Sequence, residues 1–171
     1  MTEPEPSDLF TTLATMAHHR ARVQEGLQRV IQELERRAAR HDLSKFTPDE
    51  LPGFARINRA AREHLYGSPE YRASLKAEKP TIETHYRRND HHPEYWDDPS
   101  HNIGPGMMPV CALIEMVCDW WAAWTVYEGH KAPEMRASWR DNMDKQRKRF
   151  AETFSPGQWQ VIDEISWLME K

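Results

Sequence analysis

The chain has 171 residues and a mass of 20.2 kDa, the size of one ordinary domain with a substantial core. Its 23 Lys and Arg against 27 Asp and Glu give a net charge of −4, which excludes a general electrostatic drive toward a nucleic-acid duplex or an acidic membrane surface. Only 7 glycines argue against a glycine-dependent sheet or barrel, whereas nine histidines and seven tryptophans are many for so short a chain.

The opening MTEPEPSDLF is acidic and has neither a basic n-region nor an apolar h-region, so residues 1–7 read as a loose tail rather than a signal peptide. From Leu9 an apolar stripe continues through Leu13, Met16, Val23, Leu27, Val30, Leu34 and Ala38. Steps of three, four and seven predict a long amphipathic helix. His19 fills the gap in that stripe between Met16 and Val23, while His18 falls off it. The same face, extended past Ala38, reaches His41-Asp42. A straight helix would part His19 from His41 by about 33 Å, at about 1.5 Å per residue. If the two are to share an ion, the helix must end near Arg36 to Arg40, with His41 opening a second helix packed against the first.

Thr47-Pro48-Asp49-Glu50 reads as a helix start, with Thr47 as cap, Pro48 at the first position and Glu50 closing a capping box. That helix is predicted to run through the low sixties and to end near Gly67-Ser68-Pro69. Residues 70–79 form a short helix and Pro80 to His92 is mostly helical. On that helix His85 and His92, seven apart, share a face, and His91 points about 100° away. Residues 93–106, with three prolines and two glycines, are the longest irregular segment.

Residues 107–128 form a tryptophan-rich helix, apolar nearly all round over 110–127, the signature of a central helix. Glu115 and Asp119 interrupt the stretch, which favours a buried helix over a membrane span. They are four apart and share a face with small neighbours. Two buried carboxylates need either a cationic side chain or a bound cation. Cys111 and Cys118 lie about 10 Å apart on this helix, too far for a disulfide. Free thiols and no export signal point to a reducing cytoplasm. Pro133 is predicted to open a helix over 133–153, and Ser155-Pro156 to cap a last one to about Glu170. No alternating strand pattern occurs. The expected fold is all-α, one domain over 1–171, with 133–171 as a C-terminal helical extension.

Taken singly, each polar cluster has an ordinary explanation. A histidine on an apolar stripe is usually a hydrogen-bonded core residue, an acid pair can meet arginine or lysine, and surface histidine pairs are common. Together they supply imidazole and carboxylate, the ligands of Fe, Mn, Co, Ni and Zn in catalytic sites, and the cysteines have no structural-zinc spacing.

The order His19, His41-Asp42, a histidine group, then Asp119 resembles the HD superfamily of metal-dependent phosphohydrolases. The string HDLSK, His41 to Lys45, is similar to that superfamily's HD-x-G-K variant, with Ser44 in place of glycine. The longer pattern of HDLSKF, H-x2-RN-x-HH-x3-W (His85 to Trp96) and EM-x2-DW (Glu115 to Trp120) resembles a family of small, functionally uncharacterised HD-like proteins of bacteria and phages. The match spans roughly residues 13–128, and the last two helices carry no recognised motif.

The resemblance implies an HD-type helical bundle with two divalent transition-metal ions (Fe, Mn, Co, Ni or Zn) in its core. His19, His41, Asp42 and Asp119 would ligate the first ion. Asp42 would bridge to a second, completed by His85 with His91, His92 or both, and His64 stands in reserve. A metal-bound hydroxide would attack a small, nucleotide-like phosphoester. Lys45 would neutralise charge on the phosphate, Glu115 would orient an imidazole or a metal-bound water, and Arg87 and Arg88 would contact the substrate phosphate. The GYP motif of cyclic-di-GMP hydrolases is absent. Two other functions fit the same ligand set: a mixed-valent di-iron oxygenase and a non-catalytic, metal-stabilised binding module. Trp139, Trp159 and Trp167 could serve a core or a homodimer interface, and neither nucleic-acid duplex nor membrane is an expected partner.

Overall fold

The computed structural model describes residues 3, 5–64, 67–97, 104–129, 134 and 136–171. Pro133, His101, His130 and most of the segment expected to be irregular lie outside them. Every regular element among the described residues is helical, so the fold is all-α. No described helix is long and apolar enough to cross a membrane. The chain divides into two compact units, Met1–Arg40 and His41–Lys171.

The first unit is a single 35-residue helix, α1 (Pro6–Arg40). Proline is suited to a first helical turn because its fixed φ and missing N–H cost nothing there. The helix therefore starts inside the segment read as a tail. Asp8 near the start and Arg37 and Arg40 near the end complement the helix dipole. Arg22 and Arg29 both pair with Glu25, and Arg36 with Glu33, at i,i+3 and i,i+4 spacing. None of its residues is buried, and Leu9, Leu13, Met16, Val23 and Leu27 of the apolar stripe are exposed.

In the second unit His41 opens no α-helix. His41 and Asp42 form a turn, with Asp42 in the left-handed region at φ 57°, followed by a 3-10 turn over Leu43–Phe46. The next helix, α2 (Leu51–Glu63), starts later than the capping-box signal suggests. Thr47 instead closes the 3-10 turn, its Oγ1 donating to the Ser44 carbonyl at 2.7 Å. Glu50 precedes α2 without capping it, because its carboxylate is engaged elsewhere. Ser68, accepting from the Tyr71 N–H, starts α3 (Pro69–Ala77), and α4 spans Lys79–Arg88. The helix expected to continue to His92 stops at Arg88, so His91 and His92 lie in a turn before the short α5 (Pro93–Trp96).

Helix α6 (Val110–Gly129) is the central apolar helix, and α7 (Trp139–Arg149) and α8 (Pro156–Met169) follow. Both last helices begin with complete capping boxes, Ser138 with Asp141 and Ser155 with Gln158. The Ser155 cap stands as read from sequence, whereas α7 begins at Trp139 under a Ser138 cap.

Two apolar clusters hold this unit. The larger joins Leu113, Met116 and Val117 of α6 to Trp139, Phe150, Trp159 and Ile162. The smaller joins Ile57 and Ala60 of α2 to Tyr71 of α3. Trp139 and Trp159 are thus core residues, while Trp167 is exposed. Helix α2 approaches α4 closely at Gly53, where a Cβ would run into the Thr81 side chain. Gly53→Ala is expected to lower stability by about 1–3 kcal/mol, the usual cost of overpacking, in urea unfolding monitored by tryptophan fluorescence.

Candidate metal centre

The histidines and acids of the second unit meet where the 3-10 turn, the end of α4 and its following turn face α6. Among the described residues, three groups have ligand atoms close enough to share a cation: Asp42 with His85, His91 and His92; His41 with Asp42 and Asp119; and His41 with His91 and Glu115. All belong to His41–Lys171. His19 lies exposed on α1, in the other unit, and His64 is exposed at the end of α2.

Two carboxylates stand behind the rings. Glu115 Oε1 lies 2.9 Å from His41 Nδ1 and 3.3 Å from His91 Nδ1. Glu50, completely buried, lies 2.9 Å from His85 Nδ1. Each can accept the Nδ1–H, which leaves Nε2 as the forward-facing nitrogen of all three rings. These nitrogens converge on Asp42. His41 Nε2 is 3.3 Å from Asp42 Oδ2 and 3.4 Å from Asp119 Oδ1. His85 Nε2 and His91 Nε2 are 3.2 and 3.5 Å from Asp42 Oδ1. His92 Nε2 joins from the side, 3.0 Å from His85 Nε2.

A further shell fixes Glu50. Ser44 donates to it at 2.8 Å, Arg88 Nη1 approaches its other oxygen at 3.2 Å, and Asn89 donates to Ser44 Oγ at 2.8 Å and to the His85 carbonyl at 2.8 Å. Residue 44 therefore acts through a hydroxyl that glycine would not supply. The sequence suggests a helix cap for Glu50 and no role for Ser44 and Asn89, whose bond to each other spans 45 residues. Lys45 Nζ sits 2.5 Å from Asp42 Oδ2. Arg88 is committed to Glu50 and to Asp49, and the exposed Arg87 reaches Thr84.

The electrostatics separate the rings. The Asp119 and Glu115 carboxylates on its two nitrogens hold His41 as imidazolium, its pKa raised to about 10. Burial pushes His91 down, and burial together with His91 and His85 pushes His92 down to about 3. Burial works against ionised Asp42 and Asp119, yet both stay below the usual carboxylate range. His85 and Lys45 outweigh burial at Asp42, and His41 does so at Asp119.

Neutral His91 has one ring proton but faces a carboxylate at each nitrogen. With the proton on Nδ1 toward Glu115, its Nε2 lone pair points at Asp42 Oδ1. Both atoms are buried, and neither has a hydrogen-bond partner among the described residues. A buried unpaired polar atom ordinarily costs about 1–3 kcal/mol, so two facing lone pairs mark a place where a cation would be stabilised. The donor set of imidazole nitrogens and carboxylate oxygens suits a divalent transition metal.

Two outcomes follow from this geometry. In the metal-free chain His41 contributes stability that is complete below its ordinary pKa of 6.5 and drains away as pH rises to about 10. Wild type should therefore lose melting temperature relative to His41→Asn across that window in calorimetric scans; a difference independent of pH would contradict the pairing. Glu50→Gln should weaken divalent-metal affinity by about 10–100-fold in a competitive chelator titration, since it frees the His85 ring.

No curated protein and no solved structure matches the chain. A family model does, over residues 9–166, and its description is "Family of unknown function (DUF5662)". With nearly the whole chain matched, including all the residues of this centre, the protein belongs to the DUF5662 family.

Proposed function

We propose that the protein is a metal-dependent phosphohydrolase of HD type, acting on a small phosphomonoester through a binuclear centre. The observation that carries the reading is the facing pair of orphaned atoms, Asp42 Oδ1 and His91 Nε2, with the rings of His41, His85 and His92 around them. His41, Asp42 and Asp119 would hold one ion, and Asp42, His85, His91 and His92 the other. Asp42 offers Oδ2 to the first set and Oδ1 to the second, as a bridging ligand must. The proposal rests on residues of the second unit alone.

Bound divalent ions would supply a water of lowered pKa and neutralise phosphate charge. The chain's own part is preparation. Glu115 and Glu50 retain the Nδ1 protons of His41, His91 and His85, so the rings keep one orientation. Lys45 holds Asp42 ionised and places a cation at the edge of the site, where negative charge on the phosphate grows during attack. Arg88 acts on Glu50 rather than on the substrate. In the hydrolysis the water oxygen forms a new P–O bond, the ester P–O bond breaks, and a proton from water ends on the leaving alkoxide.

Protein purified without added metal should carry close to two divalent ions by elemental analysis. With Mn2+ or Co2+ it should hydrolyse p-nitrophenyl phosphate. Asp42→Asn should lose the bridging charge, reduce metal content and bring turnover to the uncatalysed level while leaving the helical circular dichroism unchanged. An iron-selective centre with no phosphatase activity under any metal would overturn the hydrolase reading.

A further inference from the structure

Helix α1 carries an apolar face that no residue of its own unit covers. Leu9, Leu13, Met16, Val23, Leu27 and Val30 lie along one stripe, each with 49–65% of its surface exposed, and Phe10 and Ile31 are exposed beside it. With Arg20 and the half-buried Leu34, the stripe advances by four and three residues in strict alternation from position 9 to position 34. In heptad letters Leu13, Arg20, Leu27 and Leu34 stand at a, and Leu9, Met16, Val23 and Val30 at d. A helix laid on a globular core needs only a broad stripe of period about 3.6. A repeat of seven kept over nearly four heptads is the seam that a second helix of the same period fits. The length agrees, since at 35 residues α1 is about three times the mean globular helix. On its polar side Arg22, Arg29 and Arg36 are already paired with Glu25 and Glu33, which weighs against an anionic lipid surface as the cover.

We propose that α1 pairs with α1 of a second copy as an antiparallel coiled coil, which makes the protein a homodimer. Charge selects the direction. Parallel pairing would set Arg20 against Arg20 and Arg37 against Arg37 in the seam, where like charges repel. Antiparallel pairing about a two-fold axis level with Ala21 and Arg22 sets Leu9 opposite Leu34, Leu13 opposite Val30 and Met16 opposite Leu27 of the second copy. Arg20 then meets Val23, which its aliphatic stem covers while the guanidinium reaches water. At the flanks the same register brings Phe10 to Ile31 and Glu5 to Arg40, and the two helix dipoles oppose. The exposed apolar side chains of one copy supply roughly the 800 Å2 that each partner gives to a standard interface. None of the seam residues belongs to the metal centre, so the inference stands apart from the phosphohydrolase reading.

Sedimentation velocity of the full chain should give a species of twice the 20.2 kDa chain mass. Leu13→Glu places a charge in the apolar seam and should return the protein to the mass of one chain, with divalent-metal content per chain unchanged. Arg20→Leu removes the polar break in the seam and should tighten the dimer by about tenfold or more, which keeps the test open should the glutamate variant fold poorly. Oxidative cross-linking reads the direction. A mixture of Met16→Cys chains and Leu27→Cys chains should form a disulfide-linked dimer, whereas either variant alone should cross-link no more than wild type, whose native Cys111 and Cys118 set the background.

A chain that stays monomeric as its concentration is raised has another surface over α1, and the proposal fails. A dimer that Leu13→Glu leaves intact and Arg20→Leu leaves no tighter is built elsewhere on the molecule, and the proposal fails equally. Cross-linking within Met16→Cys alone would put like positions side by side and overturn the antiparallel seam.

Discussion

A carboxylate placed behind an imidazole decides which ring nitrogen keeps its lone pair. Glu50 and Glu115 impose that constraint on three of the four rings at the centre. The rest of the arrangement depends on it. With Nδ1 anchored, the rings of His41, His85 and His91 turn Nε2 toward Asp42, and a cluster of like groups becomes a directed one. Glu50 in turn is held by Ser44 and Arg88, with Asn89 bonded to Ser44 behind it. A buried polar group left without such partners would be costly.

The surrounding fold absorbs the energetic cost of this polar interior. One apolar cluster gathers α6, α7 and α8, another gathers α2 and α3, and the histidine turns lie between elements of the two. Phe54, packed on the smaller cluster, meets the His85 ring edge-on at 5.2 Å. Trp96, packed on the larger, donates to the Asp90 carbonyl at 2.7 Å and pins the turn that carries His91 and His92. The site is thus held by its neighbours rather than by its own contacts, several of which are unfavourable as they stand. Local violations of good packing at a functional site are the usual sign that the fold bears a cost there.

Signals carried by neighbouring residues were legible in the sequence. The stripe from Leu9 to Ala38 gives α1, Ser155-Pro156 gives α8, and the apolar run around Trp120 and Trp121 gives the central helix. His41, Asp42, His85, His91, His92 and Asp119 stand out because imidazoles and carboxylates are conspicuous against an apolar pattern. What sequence could not supply were choices between two partners for one side chain. Glu50 has the right type and spacing to close a capping box with Thr47, and only the distant pairing with His85 decides otherwise. The histidine segment looks helical through His92 because nothing local forbids it. The turn exists because Asn89 bonds back to the His85 carbonyl and to Ser44.

Asp42 brings two unrelated demands onto one position. Its backbone lies in the left-handed region, at φ 57°, where side chains other than asparagine and aspartate are strained and glycine is at ease. Its side chain must offer two oxygens of one negative charge, each to a different set of imidazoles. Glycine meets the first demand and not the second, asparagine keeps a single oxygen, and glutamate satisfies the charge while straining the turn. The alphabet of amino acids intersects these requirements at one letter. Drift at this position is therefore closed off by the backbone as firmly as by the chemistry, and a chain that lost Asp42 would have to rebuild its turn before it could regain the site.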